Sequence, residues 1–240
     1  MDLLLLSNST NVGEGYLAYS KGIIRDFLLD HEDQIVFIPY AGVTVTWEEY
    51  TNQVNDALSG IGLKVIPVDQ DKDPRWMVQN ASAIMVGGGN SFQLLKLLYD
   101  QGLLGIIRDR VIAGIPYIGW SAGANIACPT IKTTNDMPIV ELPSLQALGL
   151  INFQVNPHYT EEILPNHGGE SRAMRIEEYI KVNPGSKVLG LPEGMILRQS
   201  GTNFKLIGEK GCKIFQNGMV SVWINSDEEL NDFLYDKSFK

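Results

Sequence analysis

Short apolar runs alternate with helical patterns through most of the chain. Leu3 to Leu6, Ile35 to Ile38, Leu63 to Val68, Ala83 to Val86 and Tyr117 to Gly119 are the candidate central strands, and their alternation with helices predicts a parallel sheet covered on both faces. Helical periodicity runs over Gly15 to Leu29 and Trp47 to Leu58, and Thr46 with Glu49 forms a capping box before the second. Ser91 is read as the cap of a helix over Phe92 to Tyr99, and a further helix covers Leu103 to Ala113. Thr130 to Leu150 has no sustained period, which inside a domain points to a functional or mobile segment. The alternation resumes with a strand near Phe153 to Val155, a helix over Glu170 to Val182 and a strand at Val188 to Leu191. After Met195, short β-like runs separated by Gly and Asn turns predict antiparallel hairpins: Met195 to Gln199, Lys205 to Ile207, Lys213 to Phe215 and Val220 to Trp223. The expected architecture is a single α/β domain over residues 1–240, without internal repeats or a low-complexity linker.

Composition narrows the partners. With a formal net charge of −9, the surface disfavours phosphate backbones and anionic membrane surfaces, so neither nucleic acid nor membrane is expected. No apolar stretch approaches the roughly 20 residues of a spanning helix. The opening Met1 to Ser7 lacks the basic region of a signal peptide. Cys128 and Cys212 have no metal-type spacing and fit a reducing compartment, so a cytoplasmic location is expected.

Gly119-Trp120-Ser121-Ala122-Gly123 matches a G-x-S-x-G nucleophile elbow, preceded by an apolar strand (Ile115 to Ile118) and followed by an Ala-rich, helix-compatible run. Small residues let the backbone turn sharply and expose the serine oxygen. A serine needs a base, and the chain offers His31, His158 and His167. His31 lies in a polar turn ahead of a strand, at the far end of the sheet. His158 follows a strand and reaches the same rim as Ser121, which makes it the preferred base; His167 either lines the mouth of the pocket or is an exposed loop histidine, the second reading being preferred. Asp136, in the irregular stretch, and Glu193, directly after a strand, are the two carboxylates placed to orient the imidazole. Asp136 is preferred, with Glu193 either replacing it or standing behind it. Gly87-Gly88-Gly89-Asn90 joins a strand to a helix, so that an amide of Gly88 or Gly89, together with that of Ala122, would form an oxyanion hole. Lys132 and Arg172 are basic residues near this stretch in an acidic chain; a guanidinium at Arg172 can grip a carboxylate bidentately.

The segments Leu3 to Ser9, Phe37 to Val43, Gly87 to Leu95, Tyr117 to Asn125, Thr133 to Pro138, Asn156 to His158 and Leu191 to Gly194 together resemble the peptidase E family. The likeness runs from Leu3 to about Gln199. It implies a fold similar to class I glutamine amidotransferases, with serine in place of the elbow cysteine. It also implies removal of N-terminal aspartate from dipeptides with neither metal nor organic cofactor. Carried over, Ser121 is the nucleophile, His158 the base, Asp136 or Glu193 the third member, and Gly88 with Ala122 the oxyanion hole. Arg172 would bind the aspartyl side chain, with Asn90 and Thr134 as helpers. The partner is a small Asp-Xaa peptide, and the chain is expected to be a monomer or weak homo-oligomer. Two other readings share these motifs: a cyanophycinase-like hydrolase of aspartyl polymers, and a non-catalytic ligand-binding module.

Overall fold

A run of four leucines leaves no polar face, and β1 (Asp2–Leu6) lies inside a sheet that is covered on both sides. Leu3 and Leu5 enter one apolar core, Leu4 and Leu6 another, following the two-residue period of a strand. The structure, a computed structural model, describes residues 1–68, 73–162 and 168–235. β2 (Ile35–Ile38), β3 (Val65–Pro67), β4 (Ala83–Val86) and β5 (Tyr117–Trp120) run parallel in this sheet with β1. Two antiparallel strands, β8 (Ile196–Ser200) and β9 (Asn203–Ile207), extend it beyond β1. The order is β3-β2-β4-β5-β1-β8-β9.

Helices cover both faces. α1 (Lys21–Phe27) and α2 (Trp47–Ser59) pack Ile24, Phe27, Val54 and Leu58 on Leu4 and Leu6. On the opposite face lie α3 (Pro74–Gln79), α4 (Ser91–Asp100), α5 (Leu104–Ile112) and the short α6 (Ala122–Asn125), which contribute Met77, Leu94, Ile107 and Ala124 among others. Thr46 and Glu49 make the predicted capping box, with Glu49 N–H donating to Thr46 Oγ1 at 3.1 Å and Thr46 N–H donating to Glu49 Oε2 at 2.9 Å. A cap of this kind contributes about 1 kcal/mol.

Four of the later strands form a second sheet instead of extending the first. β6 (Gln154–Pro157) and β7 (Lys187–Leu191) pair in parallel, and β10 (Cys212–Gln216) and β11 (Val222–Ile224) continue antiparallel in the order β11-β10-β7-β6. Val155, Leu189 and Ile214 of this sheet join the core that holds α4 and α5. Its other side carries α7 (Arg172–Val182), through Ile176 and Ile180 on Val188 and Phe215. The final α8 (Asp227–Leu234) sends Leu230 and Phe233 into the shared core.

Several expected elements shift. The helix expected from Gly15 begins only at Lys21, after a 3₁₀ turn at Ala18–Ser20. Leu17 there donates its amide to Ser9 O at 2.6 Å and is held at φ 54°, so the chain first folds back over the end of β1. Asn90, not Ser91, caps α4: its Oδ1 accepts from the amides of Phe92 and Gln93, both at 3.0 Å. Helix α3 was signalled by Asp73 followed by Pro74, and α8 by Ser226 with Glu229 three residues later, yet neither belongs to the expected pattern. Between α6 and β6 the described residues form an isolated antiparallel bridge from Thr130 to Gln146 and no strand.

Candidate active site

The elbow follows from two glycines. A Cβ on Gly119 would lie 2.2 Å from Gly123 O, and one on Gly123 would lie 2.1 Å from Val86 O, so the strand, the turn and the start of α6 can approach this closely only without side chains. Ser121 sits between them at φ 53°, ψ −113°, a conformation that costs a non-glycine residue on the order of 1–3 kcal/mol. It is pinned there by its amide, which donates to Leu6 O at 3.0 Å, and by its carbonyl, which accepts from the amides of Ala124 and Asn125 at 3.0 and 2.9 Å.

His158 meets Ser121 from the other sheet. Its Nε2 lies 2.8 Å from Ser121 Oγ and its Nδ1 lies 2.7 Å from Glu193 Oε1. A carboxylate only accepts, so Nδ1 carries the proton and Nε2 accepts from the serine hydroxyl. Neighbouring strands explain the pairing: Pro157 is opposite Leu191 in the β6–β7 ladder, and His158 and Glu193 leave those strands side by side. Glu193 occupies a turn in which Met195 N–H donates to Pro192 O at 3.0 Å and Gly194 N–H donates to Asn8 Oδ1 at 2.8 Å.

Asp136, the acceptor preferred from sequence, stands elsewhere. Its Oδ2 accepts from Ser91 N–H at 2.7 Å, and the Thr134 hydroxyl is 3.0 Å away. The loop carrying it ties Asp136 to the start of α4, while Glu193 occupies the imidazole's Nδ1. Asn90 is likewise engaged within the protein: besides capping α4, its Nδ2 donates to Met137 O at 2.9 Å. Thr134 also lies 3.0 Å from Ser91 Oγ, so the two expected helpers act first as ties between the loop and the helix.

Gly88 abuts the elbow, where a Cβ on it would come 2.9 Å from Ser121 Cβ. Its carbonyl accepts from Tyr50 OH at 2.9 Å, and Tyr50 OH in turn accepts from Trp120 Nε1 at 3.1 Å. The amides of Gly88 and Ala122 find no acceptor among the described residues, as an oxyanion hole requires.

Ser121, His158 and Gly88 line a cavity of about 490 Å³ with Tyr16, Val43 and Ile139. A larger cavity of about 650 Å³ is lined by Lys132, Thr134, Asp136, Glu170, Arg172 and Arg175. It holds neither Ser121 nor His158, so size alone misidentifies the centre of the chemistry. A hydrogen bond links their linings: the carbonyl of His158, on the smaller cavity, accepts from Nη1 of Arg172, on the larger one, at 2.9 Å. Burial and the neighbouring Arg175 guanidinium lower the Arg172 pKa from its ordinary value, opposed by Glu193 and Tyr159.

One residue was not singled out from sequence. Ser7, fully buried just past β1, donates to Leu191 O at 2.7 Å and accepts from His158 N–H at 2.8 Å. It joins the two sheets at the base of the imidazole and supports His158 at φ 53°. The available signal was a polar Ser7-Asn8-Ser9 directly after a buried strand, on the same rim as the elbow. His167 lies outside the described residues.

The model of peptidase family S51 matches residues 3–207. Peptidase E of Nostoc sp. is 47% identical over 216 residues, covering 90% of this chain and 89% of the relative. Peptidase E of Salmonella typhimurium is 46% identical over 222 residues, covering 92% of this chain and 96% of the relative. Among solved structures, a peptidase from an acI-B1 actinobacterium superposes with a TM-score of 0.65 at 18% identity, covering 93% of this chain and 96% of that one; this likeness concerns the fold.

Proposed function

The chain belongs to peptidase family S51, and on that premise we propose that it hydrolyses dipeptides with an N-terminal aspartate through an acyl-enzyme on Ser121. The observation that carries this reading is the continuous hydrogen-bonded line from Ser121 Oγ through His158 to Glu193, with steps of 2.8 and 2.7 Å. Ser121 attacks the aspartyl carbonyl as its proton passes to His158 Nε2, and Glu193 stabilises the resulting imidazolium. The oxyanion takes the amides of Gly88 and Ala122. Collapse breaks the C–N bond, and the imidazolium returns the proton to the leaving amine. Water then attacks the ester, giving its proton to His158, and free aspartate leaves as Ser121 is reprotonated.

Arg172, on the larger cavity and bonded to the His158 carbonyl, supports the preference for aspartate, because its guanidinium is half-buried and matches a carboxylate. All these groups come from one chain, so a monomer suffices. The two cysteines are free and buried, in keeping with a cytoplasmic location.

The test is release of aspartate from Asp-Leu by the purified protein and by Ser121→Ala, with Ala-Leu alongside. We expect activity in the first only, and Ala-Leu slower on the order of 10- to 100-fold, the loss of one charge-assisted contact. Equal rates on the two dipeptides would exclude the Arg172 assignment; full activity in Ser121→Ala would exclude the mechanism.

A further inference from the structure

An enzyme that removes an N-terminal residue must recognise a free ammonium as well as a side chain. That ammonium is two covalent bonds from the acyl carbon, roughly 2.5 Å away, so its receiving group must lie close to the elbow and the oxyanion loop. We propose that Asp136 is this group: its carboxylate receives the substrate's N-terminal ammonium. The inference rests on the aspartyl dipeptidase reading and deepens it.

The carboxylates around the two cavities can be sorted by their present engagements. Glu193 is taken by the imidazole. Glu170 pairs with Arg175 at 3.9 Å and is exposed, and Glu162, also on the larger cavity, is exposed. Asp136 differs from both. It is half-buried, and its Oδ2 is fixed by the Ser91 amide, three residues beyond Gly88 on the loop that would hold the oxyanion. Its Oδ1 has no partner among the described residues. Met137, the next residue, is tied back to Asn90, so the carboxylate is held on both sides of the chain.

The charges are also complementary. Asp136 and Arg172 line the same cavity, one for a cation and the other for an anion. An N-terminal aspartate presents that pair of charges on adjacent carbons, and a carboxylate fixed by a backbone amide makes a strong charge-assisted acceptor. This gives Asp136 a role that does not require it to touch the imidazole.

The experiment compares Asp-Leu with succinyl-Leu, which keeps the side-chain carboxylate and the scissile amide and lacks only the amine. For wild type, kcat/KM should favour Asp-Leu by on the order of 100-fold. Asp136→Asn should lose most of that preference: Asp-Leu falls on the order of 100-fold, chiefly through KM, while succinyl-Leu changes by less than about 3-fold. Fluorophosphonate labelling of Ser121 should persist in the variant, verifying that the fold and nucleophile are intact. If succinyl-Leu turns over too slowly to read, competitive inhibition by aspartate against succinate gives the same ratio. A variant that loses both substrates equally, or keeps the wild-type ratio, overturns this inference alone. Wild type inactive on Asp-Leu overturns the underlying reading and this inference with it.

Discussion

Ser121 and His158 both hold positive φ, at 53° each, and neither is a glycine. Such strain persists only where surrounding bonds over-determine it, and here those bonds are visible: Leu6 O on the serine amide, Ser7 Oγ on the histidine amide and Arg172 on the histidine carbonyl. The elbow could be read from sequence because its chemistry is local. Gly119 is required by a contact of 2.2 Å within the turn itself, to Gly123 O, and Gly123 by one of 2.1 Å to Val86 O on the neighbouring strand β4, and the five-residue spacing records both requirements. The imidazole's acceptor could not be read in the same way. Asp136 and Glu193 both follow plausible positions on the rim, and only the β6–β7 register of Pro157 with Leu191 separates them. We therefore expect Glu193→Gln to lower kcat on the order of 10²- to 10⁴-fold, with KM for Asp-Leu little changed. An unaltered kcat in steady-state assays would remove Glu193 from the hydrogen-bonded line.

Among elements, the strands were the most legible part of the chain because fully apolar runs such as Leu3 to Leu6 and Ile35 to Ile38 exclude solvent on either side. What the pattern did not reveal was membership. Gln154 to Pro157 and Lys187 to Leu191 have the same βαβ rhythm as the earlier strands but pair in a separate sheet. Partition between sheets depends on contacts far apart in sequence, and periodicity carries no information about those. Helices α3 and α8 were overlooked because only short amphipathic segments follow their caps. The seam between the sheets concentrates on Ser7, whose hydroxyl serves β7 and His158 together. Ser7→Ala leaves a buried amide and a buried carbonyl without that partner, a cost of about 1–3 kcal/mol each at most. The expected result is a kcat roughly 10-fold lower at unchanged KM, assayed where the variant is still folded. A purely structural residue would lower the melting temperature and leave kcat per folded molecule as before, and that outcome would deny Ser7 a part in positioning the base.

On the scale of the whole molecule, an acidic chain of net charge −9 gathers Lys132, Arg172 and Arg175 around one cavity, opposite Asp136, Glu162 and Glu170. Charges of both signs facing one cleft match a ligand that carries both an ammonium and a carboxylate, as an N-terminal aspartate does. The cysteines sit far from this chemistry in a different sense. Burial pushes Cys128 and Cys212 up to about 12 from an ordinary value of 9.0. Both remain neutral thiols in the fold at moderate pH, so iodoacetamide at about pH 8 should leave activity intact and label them only after denaturation. Rapid inactivation by thiol alkylation would contradict this. The sign for stability follows: folded values above unfolded ones give a contribution fully present below about 9 and lost as pH rises through about 12, which urea titrations at rising pH would register as falling midpoints. Composition indicated none of this placement, since burial of two particular thiols is a property of the packed core. A last consequence lies in the division of labour between the sheets. The alcohol is delivered by the sheet that holds β1 and β5, but the ring that awakens it and the turn behind that ring come later in synthesis, after Pro157 and Leu191. A chain still emerging from the ribosome therefore holds its serine without a base until the two sheets have closed on each other.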